Sequence, residues 1–345
     1  MRVSELDGAR VGLWGAGREA AAAFRALRAP AEVVVATDAP VPDADRAAFD
    51  GARFVAGDGV VAALSACDVV VRSPGISRYR DDVAAVRAAG VALTTGTNLW
   101  FAEHAGEPIV AVTGTKGKST TASLVHRLAL AAGVRAELAG NIGRPLLDLL
   151  EVDEAPELWV VELSSYQTAD LDRAPSVAVV VNLYREHLDW HGTEERYFAD
   201  KLRLLEVGPR VAVLNGRDAR LLELAPPPER VPRVLFGVDG GFDVREHAVV
   251  RDGRVVVDMA QTALLGEHNA LNVAAALAAA EAAGALPADP QAAVAGFAPL
   301  PHRLETVAVD GAVTFVDDSI STTPESSVAA LRSVTGRPVA LLAGG

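Results

Sequence analysis

Thr113-Gly114-Thr115-Lys116-Gly117-Lys118-Ser119-Thr120 is the stretch whose reading decides the fold. The run before it, Pro108-Ile109-Val110-Ala111-Val112, is apolar and rich in branched side chains, the pattern of a strand buried on both faces. The residues after it, Ala122 to Ala132, have helical spacing and no breaker. A strand therefore feeds a glycine-rich turn that opens a helix. In that setting Gly114 and Gly117 let backbone N–H groups close on an anion, and the helix N-terminus adds partial positive charge. Lys118 adds a full charge, and a hydroxyl of Ser119 or Thr120 can hold Mg²⁺. The common phosphate loop carries a further glycine where Val112 stands here, so this is the shorter Gly-Thr-x-Gly-Lys-Ser-Thr form. The competing reading is a structural turn before a core helix.

The 345 residues exceed one ordinary core, so two or more domains are expected. With 50% apolar and 22% charged residues, the composition is that of a folded soluble protein. A net charge of −13 without a basic block argues against nucleic acid as a partner, while leaving room for a basic pocket that takes a phosphorylated small molecule. The single cysteine, Cys67, excludes an internal disulfide and a cysteine-based zinc site, and fits a reducing compartment. The N-terminus lacks the pattern of a signal peptide. The Ala-rich run from Ala270 to Ala283 is interrupted by Asn272 and Glu281, so no membrane span is expected.

Taken in order, residues 1–97 form a first α/β unit. Its strands Ala9–Trp14, Glu32–Ala36 and Val69–Val71 end in Gly15-Ala16-Gly17, Thr37-Asp38 and Arg72-Ser73-Pro74-Gly75. Those ends would line one edge of a parallel sheet, where ligands bind. Ala20 stands where a dinucleotide fingerprint has its third glycine. With Asp38 at the second strand end, a nucleotide or its diphosphate is favoured, and NAD remains open on this feature alone. Residues 98–301 form a second unit around the Lys118 loop. Its further strands, Leu158–Val161, Val177–Val181 and Val211–Leu214, each run into polar residues. A small antiparallel patch is expected between Val231 and Met259, then a helix from Asn269 to Ala283. Residues 302–345 begin a third unit with a hairpin around Asp310-Gly311, a helix from Pro324 and a strand Pro338–Leu342. A strand followed by Gly344-Gly345 is how an α/β unit opens, so the rest of a third domain is expected to be absent.

Several residues could carry chemistry. Glu162, where a buried strand meets Leu163-Ser164-Ser165-Tyr166-Gln167, can hold Mg²⁺ or simply cap a helix. His187, in Asn182-Leu183-Tyr184-Arg185-Glu186-His187-Leu188-Asp189, sits among polar neighbours at the same sheet edge. Lys201 reads by default as a helix-surface lysine. Asn269 and Asn272 lie one turn apart on one helix face, and the pair could read the edge of a base.

Together these segments resemble the Mur ligase family, the ATP-dependent amino-acid-adding enzymes of peptidoglycan precursor synthesis, over essentially the whole chain. Gly114 to Thr120, Asn141-Ile142-Gly143, Glu162, Asn182 to Asp189, Lys201, Gly266 to Asn272 and Pro301-His302-Arg303 fall in the family's order at similar spacing. Glu162 to Gln167 resembles the glutamate-adding, MurD-type branch. The turns at Gly15 to Gly17, Thr37-Asp38 and Ser73 to Gly75 match its UDP sites. Folylpolyglutamate synthases lack that first domain, and the MurT-like relatives carry a Cys-rich insert.

The resemblance implies a Rossmann-like UDP-binding domain followed by a P-loop-type ATPase domain, with UDP-N-acetylmuramoyl-L-alanine and glutamate as substrates. Thr115, Lys116 and Lys118 would hold ATP with the loop glycines. Ser119 and Glu162 would serve one Mg²⁺ and His187 a second, with Lys201 carbamylated. Asn269, Asn272, Arg303 and Asp318 would contact the nucleotide. Gly15, Gly17, Arg18, Thr37, Asp38, Ser73, Pro74, Gly75, Asn141 and Thr322 would contact substrate. Catalysis would fall to Lys118, Lys201 and His187, the last as a base for the amine. It also implies a cytoplasmic, monomeric enzyme. Where D-glutamate enzymes continue Lys-Ala-Thr-Asn after Asp318-Ser319, this chain has Ile320-Ser321-Thr322-Thr323, which looks like the variant that adds L-glutamate. D-glutamate, a plain kinase or NTPase, and a non-catalytic nucleotide-binding module are the competing expectations.

Overall fold

The apolar runs become two parallel sheets. In the computed structural model, which describes residues 1–321, 324–334 and 338–343, the first sheet holds β1 (Arg10–Trp14), β2 (Glu32–Thr37), β3 (Arg53–Ala56), β4 (Val69–Arg72) and β5 (Ala92–Thr94). Their order is β3-β2-β1-β4-β5, all parallel, so the chain reverses direction across the sheet between β1 and β4. The turns after those two strands therefore meet, which is where ligands bind in such sheets.

The second sheet holds β6 (Ile109–Thr113), β7 (Ala136–Gly140), β8 (Leu158–Glu162), β9 (Val177–Val180), β10 (Val211–Asn215) and β11 (Arg233–Phe236). All are parallel, in the order β11-β10-β9-β6-β8-β7. Every residue of β6, β8 and β9 is buried, because helices cover both faces and no position can alternate toward water. β6 lies between β8 and β9, so Glu162 and Asn182 emerge on either side of the loop that follows β6. The helices Lys118–Ala131 and Glu267–Ala282 pack together on one face, the second burying an unbroken run from Val273 to Ala280 whose small side chains allow close approach.

Two expectations are corrected here. Arg233–Phe236 is not part of an antiparallel patch but pairs in parallel with β10; only β12 (Asp243–Arg245), β13 (Ala248–Arg251) and β14 (Arg254–Asp258) form that patch. Residues 338–343 form no strand, since they have no ladder partner among the described residues, and Leu342 is 97% exposed. The hairpin of β15 (Glu305–Asp310) and β16 (Val313–Asp317) and a helix Pro324–Ser333 are present. The expected division after residue 97 falls within the helix Gly96–Glu103, whose Leu99, Trp100 and Phe101 are buried in a core shared by both sheets.

Candidate active site

The loop after β6 is shaped by its glycines and by a clamp from β9. Gly117 caps the helix Lys118–Ala131 in the left-handed region (φ +82°), and a Cβ there would meet Asn272 Oδ1 at 2.3 Å. Only glycine fits both demands. Asn182 Oδ1 accepts from the Thr115 and Lys116 N–H groups at 3.0 and 2.9 Å, and its Nδ2 donates to the Lys116 carbonyl at 3.0 Å. Thr115 Oγ1 lies 2.9 Å from the Tyr197 hydroxyl. The loop is thus held from outside, leaving the first N–H groups of the helix open.

Around the loop the tertiary fold gathers charge. Lys118 Nζ donates to the Thr115 carbonyl and Lys201 Nζ to the Gly114 carbonyl, both at 2.9 Å. Lys201 is only 2% exposed, on the helix Glu194–Glu206. It is no surface lysine: this face packs on the sheet, and the side chain runs inward beside the Tyr197 ring. Burial pushes the Lys201 ammonium well below the usual lysine range, and the charge of Lys118 adds to that. Burial also lowers Lys118, against the pull of Glu162 and Glu186. Glu162 is 1% exposed; its Oε1 accepts from Asn141 Nδ2 at 3.0 Å, while Oε2 is buried without a protein partner. Lys116 pairs with Glu186 at 2.6 Å. His187 sits at positive φ (+55°) against the Tyr166 ring, and burial lowers its imidazole. Lys118, Asn141, Ser164, Ser165, Tyr166, Glu186, His187, Tyr197 and Lys201 line one cavity of about 240 Å³. A larger surface cleft of about 350 Å³ lies elsewhere, and its walls are already ion-paired through Arg25–Asp148 and Arg28–Glu151.

The nucleotide-side residues are placed nearby. Asn272 Nδ2 donates to Asn269 Oδ1 at 3.2 Å, beside the loop. Arg303 reaches back to donate to Ser119 Oγ at 3.2 Å. Asp318 does not touch the loop glycines; it accepts from the Leu304 N–H and the Ser321 hydroxyl, and its charge acts on His268. In the first unit Gly15 adopts φ +112°, and a Cβ there would lie 2.6 Å from Ser73 Oγ, a hydroxyl that is itself buried and unpartnered. Arg18 donates to the Gly143 carbonyl at 3.3 Å, which brings the first turn against the Asn141 to Gly143 segment. Asp38 is held by Arg80 through two bonds of 2.7 and 2.9 Å, and Thr37 bonds the Ala39 carbonyl. The Pro74 carbonyl accepts from Trp190 Nε1 at 3.0 Å. Thr322 lies outside the described residues.

A buried phosphate cradle with two lysines and a half-satisfied carboxylate can be set beside known proteins. The UDP-N-acetylmuramoyl-L-alanine–L-glutamate ligase of Xanthomonas axonopodis pv. citri (strain 306) is 47% identical over 358 residues, spanning 100% of this chain and 76% of that protein.

The chain belongs to the Mur ligase family. A family model described as the Mur ligase middle domain matches residues 112–280. A relative of the same name from Micromonospora sp. is 43% identical over 364 residues, covering 100% of this chain and 78% of that one. Among solved structures, the MurF ligase from Thermotoga maritima in complex with ADP superposes with a TM-score of 0.58 at 18% identity, over 96% of this chain and 73% of that one. The MurC ligase of the same organism gives 0.57 at 17% identity, over 94% and 77%. At such identities the likeness shows the fold alone, an α/β Mur ligase architecture. Four residues of this Mur ligase chain carry little or no signal of a role in the sequence. Asn182 was visible only as the start of a polar segment, and Ser165 and His191 carried no spacing signal. Asp200 was legible only as a neighbour of Lys201. No helix among the described residues is long and apolar enough to cross a membrane.

Proposed function

We propose that the protein joins L-glutamate to UDP-N-acetylmuramoyl-L-alanine at the expense of ATP, through an acyl phosphate, in peptidoglycan precursor synthesis. The observation that carries this is the convergence of Lys118 and Lys201 on one cavity beside the glycine-rich loop, whose wall residue Asn141 bonds Glu162 and leaves the other Glu162 oxygen unpartnered. The names of relatives at 43–47% identity support it. Residues 1–97 would bind the UDP moiety with Gly15, Gly17, Arg18, Thr37, Asp38 and Ser73 to Gly75. Residues 98–301 would bind ATP, with Asn269 and Asn272 on the base. Residues 302–345 would flank the nucleotide and the incoming glutamate through Arg303, Asp318 and Thr322.

The substrate carboxylate is a poor electrophile, so the γ-phosphoryl of ATP is transferred to it first. The glutamate amine then attacks, the C–N bond forms and phosphate leaves. Negative charge converges in both steps. Lys118 and the loop N–H groups face that charge without having to reorganise, which is where electrostatic stabilisation is largest. The buried, unpartnered Glu162 oxygen fits a divalent cation, and Ser119, His187 and a modified Lys201 would complete sites for two Mg²⁺ ions. When bound, Mg²⁺ neutralises phosphate charge and orients its oxygens. Lys201 suits carbamylation: a neutral, buried amine adds to CO₂ and loses a proton, which turns a cation into an anion in the cavity wall. His187, held neutral by burial, suits the role of ligand or of base for the amine.

The test is an assay of the full chain with UDP-N-acetylmuramoyl-L-alanine, ATP and either L- or D-glutamate in parallel. The expected result is ADP and amide with L-glutamate. Amide from D-glutamate alone would transfer the assignment to the other isomer. ADP released at one rate with or without the nucleotide substrate would mark a plain NTPase.

A further inference from the structure

A second polar constellation opens onto the same cavity, and the phosphate chemistry does not use it. Asp200 Oδ2 lies 2.6 Å from His191 Nδ1, and His191 Nε2 lies 3.0 Å from Ser165 Oγ. The Tyr79 hydroxyl donates to Asp200 Oδ1 at 2.9 Å. His191 is completely buried, and Ser165 and Asp200 nearly so. Burial and the bond to Asp200 push the Tyr79 phenol up to about 12, so it remains a donor. The carboxylate can only accept. Nδ1 of His191 therefore carries the hydrogen, and in the neutral ring Nε2 accepts the Ser165 hydroxyl hydrogen. The lone pairs of Ser165 Oγ are left for the cavity it lines.

Acceptors are in demand there. Lys118 is a donor, suited to phosphate and carboxylate oxygens, and a carbamylated Lys201 would have its oxygens taken up by Mg²⁺. Glu186 is engaged by Lys116, Asn141 by Glu162, and Ser164 by Gln167. An attacking amine needs the reverse: an acceptor for its N–H, so that its lone pair faces the acyl carbon. Resting on the ligase reading, we propose that Ser165 Oγ accepts a hydrogen bond from the amino group of the incoming amino acid and orients it for attack. His191, Asp200 and Tyr79 are positioning residues that fix the hydroxyl. The contact transfers no proton. The same short helix, Leu188–His191, is tied to the first unit, because Ser77 Oγ donates to the Trp190 carbonyl at 2.6 Å and Trp190 Nε1 to Pro74. Docking of the first unit thereby sets the serine that meets the amine.

The experiment separates the two half-reactions in the full chain. Acyl phosphate formed without glutamate is trapped by borohydride, and amide formation is followed as glutamate is varied. Ser165→Ala is expected to form acyl phosphate within about twofold of wild type while amide formation falls about tenfold or more, as for loss of one orienting hydrogen bond. Tyr79→Phe, at the far end of the chain and half exposed, should shift amide formation the same way by about two- to fivefold. It keeps the test open if changes at His191 or Asp200 prevent folding. Wild-type amide formation by Ser165→Ala, or a parallel loss of trapping and amide, overturns the inference. Wild-type protein that makes no glutamate-dependent amide sinks the ligase reading itself, a result distinguishable from the first.

Discussion

Two glycine-rich turns follow the first strand of two parallel sheets in this molecule, and they are equipped differently. The turn after β1 opens a helix, Arg18–Ala26, whose first turn already holds an acid: Glu19 is partly buried, and that burial raises its carboxyl. Its charged neighbours are paired, as in Asp38 with Arg80. The turn after β6 opens the helix Lys118–Ala131, which has no acid in its first turn, and Lys118 and the buried Lys201 converge on it. A helix N-terminus attracts anions in either place. The difference lies in what the surrounding chain adds: a competing carboxylate and hydrogen-bonding turns in one, two desolvated lysines in the other. The first suits holding a nucleotide. The second suits moving a phosphoryl group, where charge must be stabilised as it develops.

The largest expected effect breaks that contrast at its source. Lys118→Ala should lower ADP formation by about a thousandfold, in the range of lost charge stabilisation in phosphoryl transfer, while calorimetry shows UDP-substrate binding intact. Equal loss of both would mean that the two turns serve one site. Glu162→Gln keeps the bond from Asn141 but removes the charge behind the unpartnered oxygen. It should weaken Mg²⁺ dependence by about 10–100-fold, read as the Mg²⁺ concentration for half-maximal turnover. An unchanged Mg²⁺ requirement would remove Glu162 from the metal set. Gly15→Ala tests the other turn. At φ +112° and 2.6 Å from Ser73 Oγ, the added Cβ should cost about 1–3 kcal/mol in stability and weaken UDP-substrate binding, with ATP affinity unaltered. A loss of ATP affinity of the same size would erase the division of labour.

The smallest effect lies at the hairpin. His302 Nδ1 meets Asp317 Oδ2 at 2.7 Å; that bond raises the imidazole and holds the Asp317 carboxyl down to about 2. The His302 contribution is full below the imidazole's unfolded pKa and fades as pH rises through its raised folded value. The Asp317 contribution is present above the ordinary carboxylate range and is lost as pH falls toward about 2. The pairing is thus strongest in mildly acidic solution. An NMR titration should place His302 above the ordinary imidazole midpoint, and Asp317→Asn should return it there. A midpoint indifferent to that substitution would show that the pair is not made in solution.

Much of the phosphate loop was legible because its information is local. A strand, two glycines, a lysine and two hydroxyls are contiguous, and their backbone geometry follows from spacing. The first-unit turns were legible for the same reason. Lys201 was legible only through the family resemblance, because a lysine on a helix defaults to solvent, and only packing of that helix on the sheet turns it inward. Arg233–Phe236 was misplaced among antiparallel strands, since a short apolar run does not say whether its neighbour runs parallel. The strand expected at 338–342 needed a partner that periodicity cannot supply. Ser165, His191 and Asp200 stayed hidden for a similar reason. Three common polar residues on separate helices have no signature until the helices meet.

The chain by itself determined an anion-binding loop between a buried strand and a helix, a second glycine turn in an earlier α/β unit, and a family resemblance through the order of its motifs. Those are consequences of local conformational preference and hydrophobic pattern, which act over a few residues. The tertiary structure decided which side chains share a cavity, which charges lose water there, and which oxygen of Glu162 is left without a partner. Those depend on strand order and helix packing, and it is desolvation at that shared site that turns ordinary lysines and carboxylates into groups able to act on a phosphate.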